Sequence, residues 1–248
     1  MEKEKGKTKE HSREEYVYLS KLYEKAERFD DMIRVIDKII EMDPHLSKEE
    51  RNILSVAYKS ILSDKRDSWR ILSIMEKGEG KKNPSQVANI KEIKSHIESE
   101  ILKIFENINN KIDKFLLPNA EDPESKVFYL RMKGDQYRYL CEITKEKDFE
   151  KNIENAEKEY KKAFKIAEKG LPTINSVRIG LCLNLALFYY EIKGDKKQGY
   201  NIAKNAFKES MKCLDNEKCK TKDVLILIQL LKENLIFWNT EMNEEEQN

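Results

Sequence analysis

Apolar residues recur at intervals of three and four along nearly the whole chain, a spacing that lines one face of an α-helix. The pattern predicts helices at about 13–27, 29–42, 48–77, 84–116, 122–143, 148–170, 176–193, 196–214 and 222–240, and no alternating strand pattern competes. Breaks fall where backbone chemistry requires them. Asp43-Pro44 closes the second helix, and Gly78-Glu79-Gly80 with Asn83-Pro84 separates the third from the fourth. Pro118 and Pro123 bracket the next loop, Gly170 and Pro172 the one after, and Gly194-Asp195 the turn before the eighth helix. Ser47 with Glu50 is a capping box for the third. Residues 1–12 and 241–248 are charged and are expected to be a disordered extension and a disordered acidic tail around one helical domain, 13–240. Successive helices of this kind also suit a tetratricopeptide-like scaffold that binds unphosphorylated peptides. Against it, the helix lengths vary and no repeat of about 34 residues is found.

Composition sharpens the class. Eight glycines and five prolines are few for 248 residues, which favours long helices with short connections. The 38% of charged residues suits solvated helix faces, and 39% hydrophobic content is enough for a core. A net charge of +1 gives no bulk field for nucleic acid or an acidic membrane. No apolar run reaches the length of a membrane span, and the N-terminus lacks a signal-peptide pattern. Cys141, Cys182, Cys213 and Cys219 have no metal-ligand spacing and read as reduced cytosolic thiols. His11, His45 and His96 are dispersed, so neither a zinc set nor a nucleophile–base–acid set can be assembled. No cofactor and no catalysis are expected.

The candidate chemistry lies in cations within apolar helices. Arg51–Lys59 reads RNILSVAYK, with Arg66 and Arg70 following, and Lys126–Leu140 reads KVFYLRMKGDQYRYL. Lys59 and Arg66 are seven residues apart and project from nearly one line, as do Arg131 and Arg138, with Tyr139 beside the latter. Burying an unpaired charge is expensive, whereas a phosphate accepts the two parallel N–H bonds of a guanidinium. A single helical Arg is usually half of a surface ion pair, here Arg138 with Asp135 one turn back. Four such groups beside apolar faces favour an anion site, provided the third and fifth helices are neighbours. In GLCLNLALFYYEI, from Gly180, Leu183 and Leu187 form a stripe with Asn184 and Glu191 beside it. On the last helix Leu227, Leu230, Asn234 and Trp238 share a face. An asparagine in such a stripe is a backbone-bonded core residue or a donor–acceptor pair for an extended peptide.

These strings, together with AERFDDM from Ala26 and TKDVLILIQLLKENLIFW from Thr221, closely resemble the 14-3-3 family from about Arg13 to Trp238. The resemblance implies an all-α, cup-shaped protomer of nine antiparallel helices with an amphipathic groove. It implies a non-catalytic adaptor that binds phosphoserine or phosphothreonine segments of client proteins and regulates them as a dimeric clamp. Lys59, Arg66, Arg138 and Tyr139 match its phosphate-binding set. Asn184 and Asn234 match the residues that hold the peptide main chain, and Arg131, Glu191, Leu183, Leu187, Leu227, Leu230 and Trp238 fall on the peptide-binding walls. Leu22, Ala26, Arg28, Asp31, Ser68, Leu72, Ile93, His96 and Glu100 fall on the dimer interface, with Arg28 facing Glu100 and Asp31 facing His96 across it. The expected assembly is a homodimer, or a heterodimer with a related chain, in the cytoplasm and also the nucleus. The chain departs from the usual pattern in being near neutral rather than acidic, with Arg131 where the family has Lys and Lys232 where it has Arg. Ile174-Asn175-Ser176 replaces Thr-His-Pro, Ile93 a Tyr and His96 a Lys. A histidine at 96, neutral above pH 7, predicts a dimer that tightens toward pH 6.

Overall fold

A computed structural model describes residues 11–79, 83–214 and 221–247. Nine α-helices and no strand are present among the described residues, and they fall into two compact units, Met1–Asn119 and Ala120–Asn248.

The first unit holds α1 (Arg13–Lys25), α2 (Phe29–Met42), α3 (Lys48–Glu79), α4 (Pro84–Lys111) and a π-helical turn, Ile112–Leu116. The capping box at Ser47 forms: its N–H donates to Glu50 at 2.7 Å, and the Glu50 N–H donates to the Ser47 hydroxyl at 3.2 Å. Glu50 also accepts two bonds from Arg13, at 2.6 and 2.9 Å, and Arg13 donates to the carbonyls of Ile39, Asp43 and His45. One side chain at the start of α1 thus closes the end of α2 and the beginning of α3. Met32, Ile36 and Ile39 of α2 join Leu54, Ala57 and Tyr58 of α3 and Ile101 and Ile108 of α4 as buried apolar residues. Leu22, Ile71, Ile74, Met75 and Ile93 are exposed in this unit.

The second unit holds α5 (Pro123–Ile143), α6 (Glu146–Gly170), α7 (Ser176–Leu187), a second π-helical turn at Phe188–Ile192, α8 (Lys196–Cys213) and α9 (Lys222–Gln247). Side-chain caps start α5, α7 and α8: Asp122 accepts from Ser125 N–H, Asn175 from Val177 and Arg178, and Asp195 from Gln198. Asn175, an unusual residue against the family pattern, therefore has a capping role. A Cβ on Gly134 would come within 2.7 Å of the Tyr160 ring, so its absence lets α5 and α6 pack closely. Ile179, Leu183, Ala186 and Tyr190 pack with Ala203 of α8 and Val224, Ile228, Leu231 and Trp238 of α9.

Three boundaries differ from expectation. Both long apolar runs, 84–116 and 176–193, end in a π-helical turn, which apolar spacing does not reveal. Helix α9 continues to Gln247, so 241–247 is helical instead of a disordered tail. Lys196 accounts for it by pairing with Glu241 at 2.9 Å and with Glu245, while Tyr190 donates to Glu241 at 3.0 Å. The expected extension lies outside the described residues up to Glu10, and Ser12 is the N-cap of α1. Cys141 and Cys182 are buried thiols and Cys213 is half-buried, while Cys219 lies outside the described residues. No described helix is long and apolar enough to cross a membrane.

Candidate functional site

Arg138 and Tyr139 sit in the last turns of α5, where the helix is enclosed on most sides. The expected pairing of Arg138 with Asp135 is part of a larger network. Tyr160 of α6, fully buried, donates its hydroxyl to Asp135 Oδ1 at 2.5 Å and accepts from Arg138. Asp135 also receives the Asn184 amide of α7, whose Nδ2 lies 2.8 and 2.9 Å from its two oxygens. A carboxylate only accepts, so Asn184 must turn its NH2 toward Asp135 and present Oδ1 on its other side. Burial opposes the charge on Arg138, but Tyr160, Asp135 and Tyr139 outweigh it and raise its pKa further. Burial, then Asp135, raises the Tyr160 hydroxyl well above its ordinary value, so it stays a donor. Arg138 stacks over the Tyr139 ring at 4.7 Å, and its Nε is buried with no partner among the described residues. A cation is thus held in place with donor capacity unused.

Arg131, two turns earlier, is different. Its guanidinium lies over Phe128 at 5.3 Å and rests on Gly180 of α7, where a Cβ would collide with Nη1. Its Nε is also buried without a partner. Glu191 lies in the second π-helical turn, its carboxyl pushed up by desolvation against the pull of Arg138.

The apolar wall divides. Leu183 is 6% exposed and Trp238 1%, with Trp238 stacked on Tyr190 at 4.2 Å between ring centres. Both belong to the packed cluster of α7, α8 and α9. Leu187 and Leu227 are half-buried against that core, Leu230 is 40% exposed, and Asn234 is half-buried on α9.

In the first unit Lys59 is exposed on α3 and Arg66 is half-buried two turns on. Arg70 follows the ion-pair reading, donating to Asp67 at 3.1 Å. Of the interface set, Leu22, Ala26, Arg28, Ser68, Ile93, His96 and Glu100 are exposed, while Asp31 and Leu72 are half-buried. The charges there already have partners within the chain. Asp31 is bracketed by Arg28 and by Arg34 at 2.9 Å, and Glu100 is met by Lys65 at 2.6 Å. A pocket of about 490 Å³ opens among Arg28, Asp31, Arg34, Lys65 and Ser68. Among the described residues no group of His, Cys, Asp and Glu could hold a metal ion.

Sequence reasoning missed Tyr160 and Gly180, and saw Asp135 only as an ion-pair partner. The i, i+3 spacing exposed Asp135, but nothing local ties residue 160 or 180 to α5.

Comparison with known protein families matches residues 19–239 to 14-3-3 protein. The chain is 41% identical to the 14-3-3-like protein GF14 epsilon of Arabidopsis thaliana, covering 95% of this chain and 94% of that one. It is 43% identical to the 14-3-3-like protein A of Hordeum vulgare over 96% and 92% of the two chains. To the 14-3-3 protein beta/alpha of Homo sapiens it is 40% identical over 94% of each.

Proposed function

The chain belongs to the 14-3-3 family of non-enzymatic adaptors, and from that premise we propose that it captures phosphoserine or phosphothreonine segments of client proteins. Family membership supports a phosphopeptide-binding role, and it displaces the repeat-scaffold alternative. The observation that carries the finer reading is the Arg138 network. A guanidinium held by Tyr160 and Asp135, next to Tyr139 and with an unused buried N–H, suits a phosphate. Lys59 and Arg66, in the first unit, are the further cations that the family resemblance assigns to phosphate binding. Asn184, presenting Oδ1, takes a main-chain N–H of the extended ligand, and Asn234 is its counterpart on α9. Leu187, Leu227 and Leu230 supply apolar contact beside it.

The protein acts as a homodimer, or with a related chain, through the face that carries Leu22, Ala26 and Ile93. Two linked sites raise avidity for a doubly phosphorylated client and let it be clamped or masked. Cytoplasmic residence, with the nucleus as a second location, follows from the same reading.

Titration of a fluorescent serine peptide with and without phosphate tests this. The phosphorylated form binds and the other does not. Arg138→Ala loses about 2–4 kcal/mol of phosphopeptide affinity with helicity retained, since the network serves the ligand more than the core. Equal binding of both peptides, or normal binding by the variant, would overturn it.

A further inference from the structure

The two arginines of α5 are built for different duties. Arg138 is tied to Tyr160 and Asp135. Among the described residues the Arg131 Nε is buried with no hydrogen-bond partner, and its guanidinium lies over the Phe128 ring face. Its position is nevertheless fixed. Phe128 lies beneath the guanidinium, and Gly180 leaves the space into which Nη1 fits, a space that a single methyl group would fill. Leu227 of α9 borders the same spot, 3.9 Å from where that methyl would sit. A planar cation held between an aromatic face and a glycine, its Nε out of water and without a partner among the described residues, is incomplete without an anion.

We propose that Arg131 forms a second anion subsite, specific for a carboxylate or a second phosphate on the same client segment. The inference rests on the phosphopeptide reading above and deepens it. The helix sets the distance: seven residues separate the two arginines, or about 10 Å along the axis. An extended peptide rises about 3.3 Å per residue, so the second anion falls about three residues from the phosphorylated one. The subsite selects clients whose phosphorylated residue is followed or preceded, at that interval, by Asp, Glu or another phosphorylated residue. Lysine in place of Arg131 would supply a point charge without the two-pronged fit.

The test is a peptide series titrated against the full chain. The parent carries one phosphoserine and no other acid, and each derivative carries one Glu at two, three or four residues to either side. The wild type gains about tenfold at one of the three-residue positions, as one charge-assisted pair would give. In Arg131→Gln that gain disappears, so that the Glu-bearing and parent peptides bind alike, whatever affinity the variant keeps for the parent. Arg131→Lys retains part of the gain, and Gly180→Ala loses it with the fold checked by a thermal melt. A uniform response to Glu at every position, or a gain that survives in Arg131→Gln, overturns the subsite and leaves the phosphate reading intact. Failure of the parent phosphopeptide to bind overturns both.

Discussion

Asp135 decides what Asn184 can offer a ligand. Its two oxygens accept from the amide nitrogen, so the asparagine faces outward as an acceptor. Asp135→Asn removes that constraint and one of the charges that steady Arg138. The expected result is phosphopeptide affinity weakened by more than about tenfold, or about 1.4 kcal/mol, with a smaller loss for Tyr160→Phe, which keeps the carboxylate. Fluorescence titration of both variants gives the comparison, and equal affinity in Asp135→Asn and wild type would separate Asp135 from binding. Much at this scale was legible beforehand. Arg131 and Arg138 stand out because cations are foreign to an apolar helix. Periodicity names a helix face without saying what covers it, so the stacking of Trp238 on Tyr190 and the packing of Leu183 with α8 and α9 could not be read in advance.

Among elements, helix starts were readable from caps such as Ser47 and from prolines, whereas both π-helical turns were not. A π turn keeps apolar spacing nearly unchanged, and its backbone shift leaves no residue signature. The turn at Phe188–Ile192 is pinned through Tyr189 and its neighbour Lys193, which bond Glu157 of α6 at 2.8 and 2.7 Å. Burial raises the Glu157 carboxyl, but Lys161, Lys193 and Tyr189 together lower it to about 2. With its folded value below the unfolded one of 4.5, Glu157 contributes stability that is present above pH 4.5 and lost as pH falls toward 2. Glu157→Gln should therefore lower the melting temperature at pH 7, and the gap from wild type should narrow between pH 4.5 and 2. Melts across that range test it, and a gap that stays constant would remove Glu157 from the acid response.

For the assembled molecule, the interface charges set the expectation. Arg28, Asp31, Lys65 and Glu100 already pair within one protomer, so bonds across a dimer replace existing ones. Exposed exchanges of this kind are worth about 0–1 kcal/mol. In the proposed dimer, apolar contact through exposed Leu22 and Ile93 is then expected to supply most of the association. Sedimentation should show Leu22→Asp monomeric, whereas raising salt from about 0.05 to 0.5 M shifts the wild-type dimer only several-fold. A dimer that dissolves in salt but tolerates Leu22→Asp would reverse that ranking. The Arg13 junction has a further consequence, for proteolysis. A trypsin-like protease must draw an arginine side chain into its own pocket, and this one is already engaged with Glu50 and three carbonyls. Cleavage after Arg13 therefore has to wait until α1 lifts away from α2 and α3. The rate of that single cut, followed by mass spectrometry, is a clock for the opening of the first unit, whatever happens in the second.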